Sequence, residues 1–185
     1  MSLTNHNTET LITLCLSKNQ AAQLEIYNRY YKAMFNTAFR IVKDRYEAED
    51  IMQDAFLKAF TKLNTLKEHN TFGSWLKRIV VNMSIYHYNK STKFDEVPLD
   101  DVLYKVEDCD GIVSNHEFNS IKAKQVIESM SLLKDNYRVS LTLHLIEGYD
   151  YEEISEIMNI SNANCRTMIS RAKESLRHKM LAVVS

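Results

Sequence analysis

Apolar residues return every three or four positions along most of this chain, the spacing that lines one face of an α-helix. A first run holds Leu24, Tyr27, Tyr31, Met34, Phe35, Ala38, Phe39 and Val42. The polar break Lys43-Asp44-Arg45 follows, and the pattern resumes at Ala48, Ile51, Met52, Ala55, Phe56, Ala59, Phe60 and Leu63. Asn64 to Gly73 reads as a polar loop, and Ser74 as the N-cap of a third helix carrying Trp75, Leu76, Ile79, Val80 and Met83. Residues 91–117 are different, with irregular apolar spacing, many acids and the only proline. That composition predicts a linker. Helical spacing returns from about Phe118, through Ile121, Val126, Ile127 and Met130, then Val139, Leu141, Leu143, Leu145 and Ile146. Gly148 is placed to end that run as a C′ glycine. The expected fold is all-α: two small helical domains, 8–90 and 118–182, joined by an acidic linker over 91–117.

Composition narrows this further. Three glycines and one proline are too few for the many tight turns of an all-β fold. Cys15, Cys109 and Cys165 form no CxxC pair, so neither a zinc site nor a disulfide framework is suggested. The N-terminal stretch has no basic region followed by an apolar core, and no apolar run reaches the roughly 18 residues that cross a bilayer. A cytoplasmic chain without membrane insertion is expected. The formal net charge of −1 conceals an uneven distribution: residues 1–88 sum to +3, residues 89–120 to −5 and residues 121–185 to +1. Neither end is basic enough to hold duplex DNA by counterion release alone. If the chain uses DNA, another partner supplies most of the affinity.

The region after Gly148 has the pattern of a helix-turn-helix. Asp150 is a cap for a short helix that turns Ile154 and Ile157 inward, Met158 to Ser161 is a turn, and a longer helix carries Cys165, Ile169, Ala172 and Leu176 on one face. Its other face presents Asn162, Asn164, Arg166, Thr167, Ser170, Arg171 and Lys173. Such amides, hydroxyls and cations read base edges and phosphates in a major groove. On periodicity alone a helical hairpin with a solvated polar face fits equally well.

The wording of two stretches is more specific. Leu145 to Ile154, followed by Ile160-Ser161 and Ser170-Arg171-Ala172-Lys173, resembles region 4 of the extracytoplasmic-function (ECF) sigma factors of the sigma-70 family. Glu47 to Phe60 and Phe72 to Asn82 resemble region 2 of the same family, whose signatures include A-E-D-L and F-x-x-W-L-x-x-I-A-x-N. The resemblance implies an alternative sigma factor that binds core RNA polymerase, directs it to promoters and assists melting. Region 2 would dock on the β′ clamp through the acidic edge Glu49, Asp50, Gln53 and Asp54, whose field suits basic partner residues. Its loop and following helix, through His69, Asn70, Thr71, Lys77, Arg78, Asn82, Tyr86, His87 and Lys90, would face the downstream (−10) element. There amides suit base edges, rings suit stacking and cations suit phosphate. Region 4 would bind the upstream (−35) element through the seven polar residues of its last helix, and would also contact the β flap. An anti-sigma factor is a further partner that the resemblance allows, and no cofactor is implied.

Trp75, Phe56 and Phe60 lie on apolar stripes and read as core rather than as DNA-stacking rings, whereas Tyr86 and Tyr88 stay open between the two. Lys77 and Arg78 also fit a solvated face. Asp50 and Asp54 lack the Glu-x-x-His partner of helical-bundle metal sites, and His6, His69, His116, His144 and His178 show no ligand spacing. No P-loop, GxSxG or HExxH is present, so no catalytic residue is assigned. A stand-alone dimeric helix-turn-helix regulator would account for the C-terminal motif but not for the N-terminal one.

Overall fold

A computed structural model of the chain describes residues 3–94 and 117–184. It divides into two compact units, Met1–Ser91 and Thr92–Ser185, and all its described regular structure is helical. Residues 95–116 of the expected linker lie outside the described residues. At its edges the helices run further than the sequence suggested, to Phe94 on one side and from Glu117 on the other.

The N-terminal unit is built from α1 (Thr8–Leu16), α2 (Gln20–Val42), α3 (Arg45–Thr61) and α4 (Phe72–Phe94). Each of the first three helices starts at a residue whose side-chain oxygen takes an otherwise orphaned backbone N–H. Asn7 accepts from Thr10 N, Asn19 from Ala22 N and Asp44 from Glu47 N. Lys43, at φ 61°, closes α2 in the left-handed region and lets α3 turn back along it. Leu11, Ile12, Ile26, Ile51, Phe72, Leu76 and Val80 are fully buried or nearly so. Each contributes roughly 1.5–3 kcal/mol by leaving water. Tyr27 packs on Phe56 at 4.9 Å and Tyr30 on Phe72 at 5.4 Å between ring centroids.

Three expectations need correction here. Leu24 is 60% exposed, because Ala22 and Ile26 supply the buried face at that end of α2. The loop from Asn64 is not irregular throughout, since Leu63–Thr65 and His69–Thr71 form single 3-10 turns. The third long helix begins at Phe72, not Ser74, and the Ser74 hydroxyl donates to Thr71 O rather than capping a backbone N–H. The buried Phe72 ring draws the first turn into the core. Gly73 permits this, since a Cβ there would lie 3.0 Å from the Tyr30 ring.

The C-terminal unit contains α5 (Glu117–Ser131), α6 (Asp135–Leu141), α7 (Tyr151–Met158) and α8 (Asn162–Val184). A wider π turn, Thr142–Ile146, prolongs α6. The run Val139, Leu141, Leu143 fits no single helical face, and the reason is burial on every side: all six residues from Arg138 to Leu143 are buried. A helix covered all round is the centre of its domain. Leu145, expected on the same apolar run, is 49% exposed. Buried Arg138 reaches out to Asp135, with Nη2 3.1 Å from Oδ1.

Gly148 ends this segment as expected. Its φ of 81° belongs to a region that side chains avoid, and it allows Tyr149 N to donate back to Leu143 O at 3.0 Å. Asp150 and Glu153 then form a reciprocal capping box at the start of α7. Asn159, at φ 53°, reverses the chain, and Ser161 Oγ accepts from Asn164 N at the start of α8. The expected seam of Cys165, Ile169, Ala172 and Leu176 is buried. α8 packs along it against α5, α6 and α7.

Candidate polymerase and nucleic-acid interfaces

On α3 the acidic edge lies opposite the core face. Ile51, Met52, Ala55 and Phe56 are buried, while Asp50, Gln53 and Asp54 are exposed. Glu49 differs from its neighbours, being half-buried with Oε1 3.3 Å from Arg45 Nε one turn earlier, which neutralises part of its field. The free part of the edge is therefore Asp50, Gln53 and Asp54.

The nine residues expected to face the downstream element do not form one surface. Arg78, Asn82, Tyr86 and Lys90 follow one another at intervals of four on α4 and are all exposed. At 100° per residue they trace a slowly drifting stripe. Tyr86 is 66% exposed, so its ring is available, while Tyr88 and Trp75 are partly buried and Trp75 packs on the core. Lys77 is half-buried on a different side of the helix. His87 turns to α3, its Nδ1 3.1 Å from Glu47 Oε1, and so joins two helices.

In the loop, Asn70 and Thr71 are exposed, and the Thr71 hydroxyl donates to Glu68 O at 2.7 Å, fixing the 3-10 turn. His69 is half-buried, with Nδ1 3.5 Å from Thr13 Oγ1 of α1. A shallow groove runs between α1 and the loop, lined by Glu9, Thr10, Thr13, Lys67, Glu68, His69 and Asn70. The α1 wall of this groove was not anticipated. No periodicity in the sequence links residues 9–13 to residues 67–70, because the pairing exists only after folding.

On α8 the seven expected residues divide into two sets. Asn162, Arg166 and Lys173 lie within about 40° of one another at 100° per residue, along the border with α7. Arg166 Nε donates to Asn162 Oδ1 at 3.1 Å. Asn164, Thr167, Ser170 and Arg171 occupy the outward side and are all exposed. Tyr151, the first residue of α7, is a candidate that periodicity does not single out. Its ring lies 5.5 Å from Arg166 Cζ and 6.0 Å from Lys173 Nζ, and it stacks with His144 at 4.9 Å.

Neither described thiol is placed for chemistry. Burial pushes Cys15 up to about 11. It raises Cys165 as well, although the adjacent Arg166 guanidinium pulls the other way. Among the described residues no three His, Cys, Asp or Glu side chains converge as a metal site would require, and no helix is long and apolar enough to cross a membrane.

Comparison with known proteins agrees with this division. The model for sigma-70 region 2 matches residues 26–94, and that for sigma-70 region 4 matches residues 123–176. The chain is 32% identical to the ECF RNA polymerase sigma factor SigM of Bacillus subtilis over 154 residues, which is 83% of this chain and 91% of that protein. It is 29% identical to SigW of the same organism over 171 residues, 88% of this chain and 90% of SigW. The fold is shared with CnrH, solved with the cytosolic domain of CnrY, at a TM-score of 0.55 and 19% identity over 95% of this chain and 97% of the other. It is shared too with RpoE of Bartonella quintana, solved with the anti-sigma factor NepR, at 0.56 and 19% over 84% and 94%.

The chain belongs to the ECF sigma factors of the sigma-70 family. Its function is that of the family: it directs core RNA polymerase to promoters, and its partners are core polymerase and promoter DNA. A stand-alone helix-turn-helix regulator would leave the region 2 match without a purpose.

Proposed function

We propose that the two units divide initiation between them. The N-terminal unit docks on the polymerase β′ clamp through Asp50, Gln53 and Asp54, with Glu49 behind them. It catches melted downstream promoter DNA with the α1–loop groove and the Arg78, Asn82, Tyr86 and Lys90 stripe. The C-terminal unit reads the duplex upstream element with α8 and approaches the β flap. The segment between α4 and α5 acts as the linker. The protein works in the cytoplasm as a non-catalytic subunit that brings specificity and carries no cofactor. An anti-sigma factor is a fitting regulator, since the two structural relatives were solved with the partners CnrY and NepR.

The observation that carries this reading is the placement of two separate polar surfaces, an acidic one on α3 and a cation-bearing one on α8, in different units of a nearly neutral chain. Each surface alone binds weakly, so affinity has to come from polymerase. The test is transcription in vitro from fragmented genomic DNA of the source organism, with core polymerase and the full chain, followed by sequencing of the transcripts. Starts that share an upstream and a downstream element and depend on the added chain support the reading. Chain-dependent retardation of DNA without core polymerase, and no new starts with it, would overturn it.

A further inference from the structure

The Tyr151 ring gathers three side chains from two other segments: His144 from the π turn, and Arg166 and Lys173 from α8. Two cations seven residues apart on one helix repel each other and ordinarily spread into water. Here both heads come within 6.0 Å of one ring, where the negative face of the π system attracts them. The ring is itself fixed. It is half-buried at the first position of a helix started by a capping box, and the stacked His144 is held by an Nδ1 contact of 3.1 Å to Tyr149 O. Arg166 is steadied from a second side by Asn162.

This directs the two cations toward the border between α7 and α8 and away from the outward side that carries Asn164, Thr167, Ser170 and Arg171. When a helix-turn-helix docks, the second helix enters the groove while the first crosses the sugar–phosphate backbone. The border between them therefore lies over phosphate. We infer that Tyr151 is a positioning residue that presents Arg166 and Lys173 as a phosphate clamp, leaving base reading to the outward side of α8. The inference rests on the assignment of α8 to the upstream element.

The probes are holoenzyme made from core polymerase and the full chain, a promoter recovered in the transcription experiment, and the same promoter with its upstream element scrambled. Arg166→Ala weakens closed-complex formation by the same factor on both DNAs and lowers the slope of log affinity against log salt by about 1. Arg171→Ala weakens only the intact promoter. Tyr151→Leu reproduces the Arg166→Ala pattern with a loss of about 2–5-fold, and Tyr151→Phe, which keeps the ring, binds as wild type.

A loss with Arg166→Ala confined to the intact promoter overturns the clamp, because it makes Arg166 a base reader. Normal binding by Tyr151→Leu alongside a defective Arg166→Ala removes the positioning role. Equal losses in Tyr151→Leu and Tyr151→Phe, at unchanged thermal stability, assign the effect to the hydroxyl and also overturn it. If neither Arg166→Ala nor Arg171→Ala changes binding, the assignment of α8 to DNA fails instead.

Discussion

In the C-terminal unit every candidate DNA residue lies on one helix, and that helix is held along its length by a buried seam of Cys165, Ile169, Ala172 and Leu176. In the N-terminal unit the candidates are split between an exposed stripe of α4 and a loop whose only regular structure is a pair of 3-10 turns. The difference suits the targets proposed for the two units. Duplex DNA has a fixed groove, so a rigid helix with pre-set side chains loses little entropy on binding it. A strand being opened has no fixed shape. A loop with short turns beside a shallow groove offers donors and acceptors to a base that has left the stack. On the proposed division, the unit that would read a rigid object carries its candidates on a packed helix, and the unit that would trap a moving one presents loop and groove.

The largest expected effect lies on the surface proposed to serve polymerase rather than either DNA target. Reversing charge at Asp50 and Asp54 together sets like charge against a basic partner, which costs several kcal/mol of core-polymerase affinity. Both side chains are exposed, so thermal stability is expected to stay near wild type. A binding titration against core polymerase is the measurement. Unchanged affinity would show that the clamp contact lies on another face of the unit, and the comparison would then lose its third surface.

Asn82→Ala sharpens the contrast between trapping and reading. Asn82 sits in the middle of the exposed α4 stripe, one turn after Arg78 and one before Tyr86. Losing an amide that hydrogen-bonds an unstacked base costs about 1–3 kcal/mol, a loss of open complex between about 5-fold and 150-fold. Closed-complex formation, which uses the upstream contacts, is expected to stay intact. Permanganate footprinting of unpaired thymines distinguishes the two states. A normal bubble on a promoter that is not pre-opened would remove Asn82 from the trapping surface.

How much of this could be read in the sequence depended on whether a feature was local. The caps Asp150 and Gly148, the polar break at Lys43-Asp44-Arg45, the α8 seam and the acidic edge all follow from residues within a few positions of one another. Periodicity and capping rules reach that far. Four features needed the fold. The start of α4 at Phe72 depends on a ring buried against Tyr30, 42 residues earlier in the chain. The all-round burial of Arg138 to Leu143 broke the helical period that signals an element, because a central helix has no solvent face. The α1 wall of the groove and the Tyr151 cluster join residues whose spacing carries no pattern. Among the candidate site residues, His87 left its expected surface because α3 offers it Glu47, and Lys77 lies half-buried on another side of α4.

The smallest expected effect tests whether the two units are independent bodies at all. Asp44 and Asp150 are equivalent devices, one in each unit: each side chain accepts a backbone N–H three residues on at 2.8 Å. Replacing such a cap by Ala costs about 1 kcal/mol. Asp150 loses more than Asp44, because Glu153 Oε2 also accepts from Asp150 N at 3.1 Å and that half of the box loosens with it. The chain has a single tryptophan, Trp75, packed on the N-terminal core. Tryptophan fluorescence during urea unfolding therefore reports the N-terminal unit, and far-ultraviolet circular dichroism reports both. Asp44→Ala is expected to move the fluorescence midpoint to lower urea. Asp150→Ala is expected to leave that midpoint in place and to shift only part of the dichroism curve. A fluorescence midpoint that moves equally in both variants would mean that the two units unfold as one cooperative body, and the contrast between a rigid reader and a separate trapping unit would have to be drawn within a single folded structure.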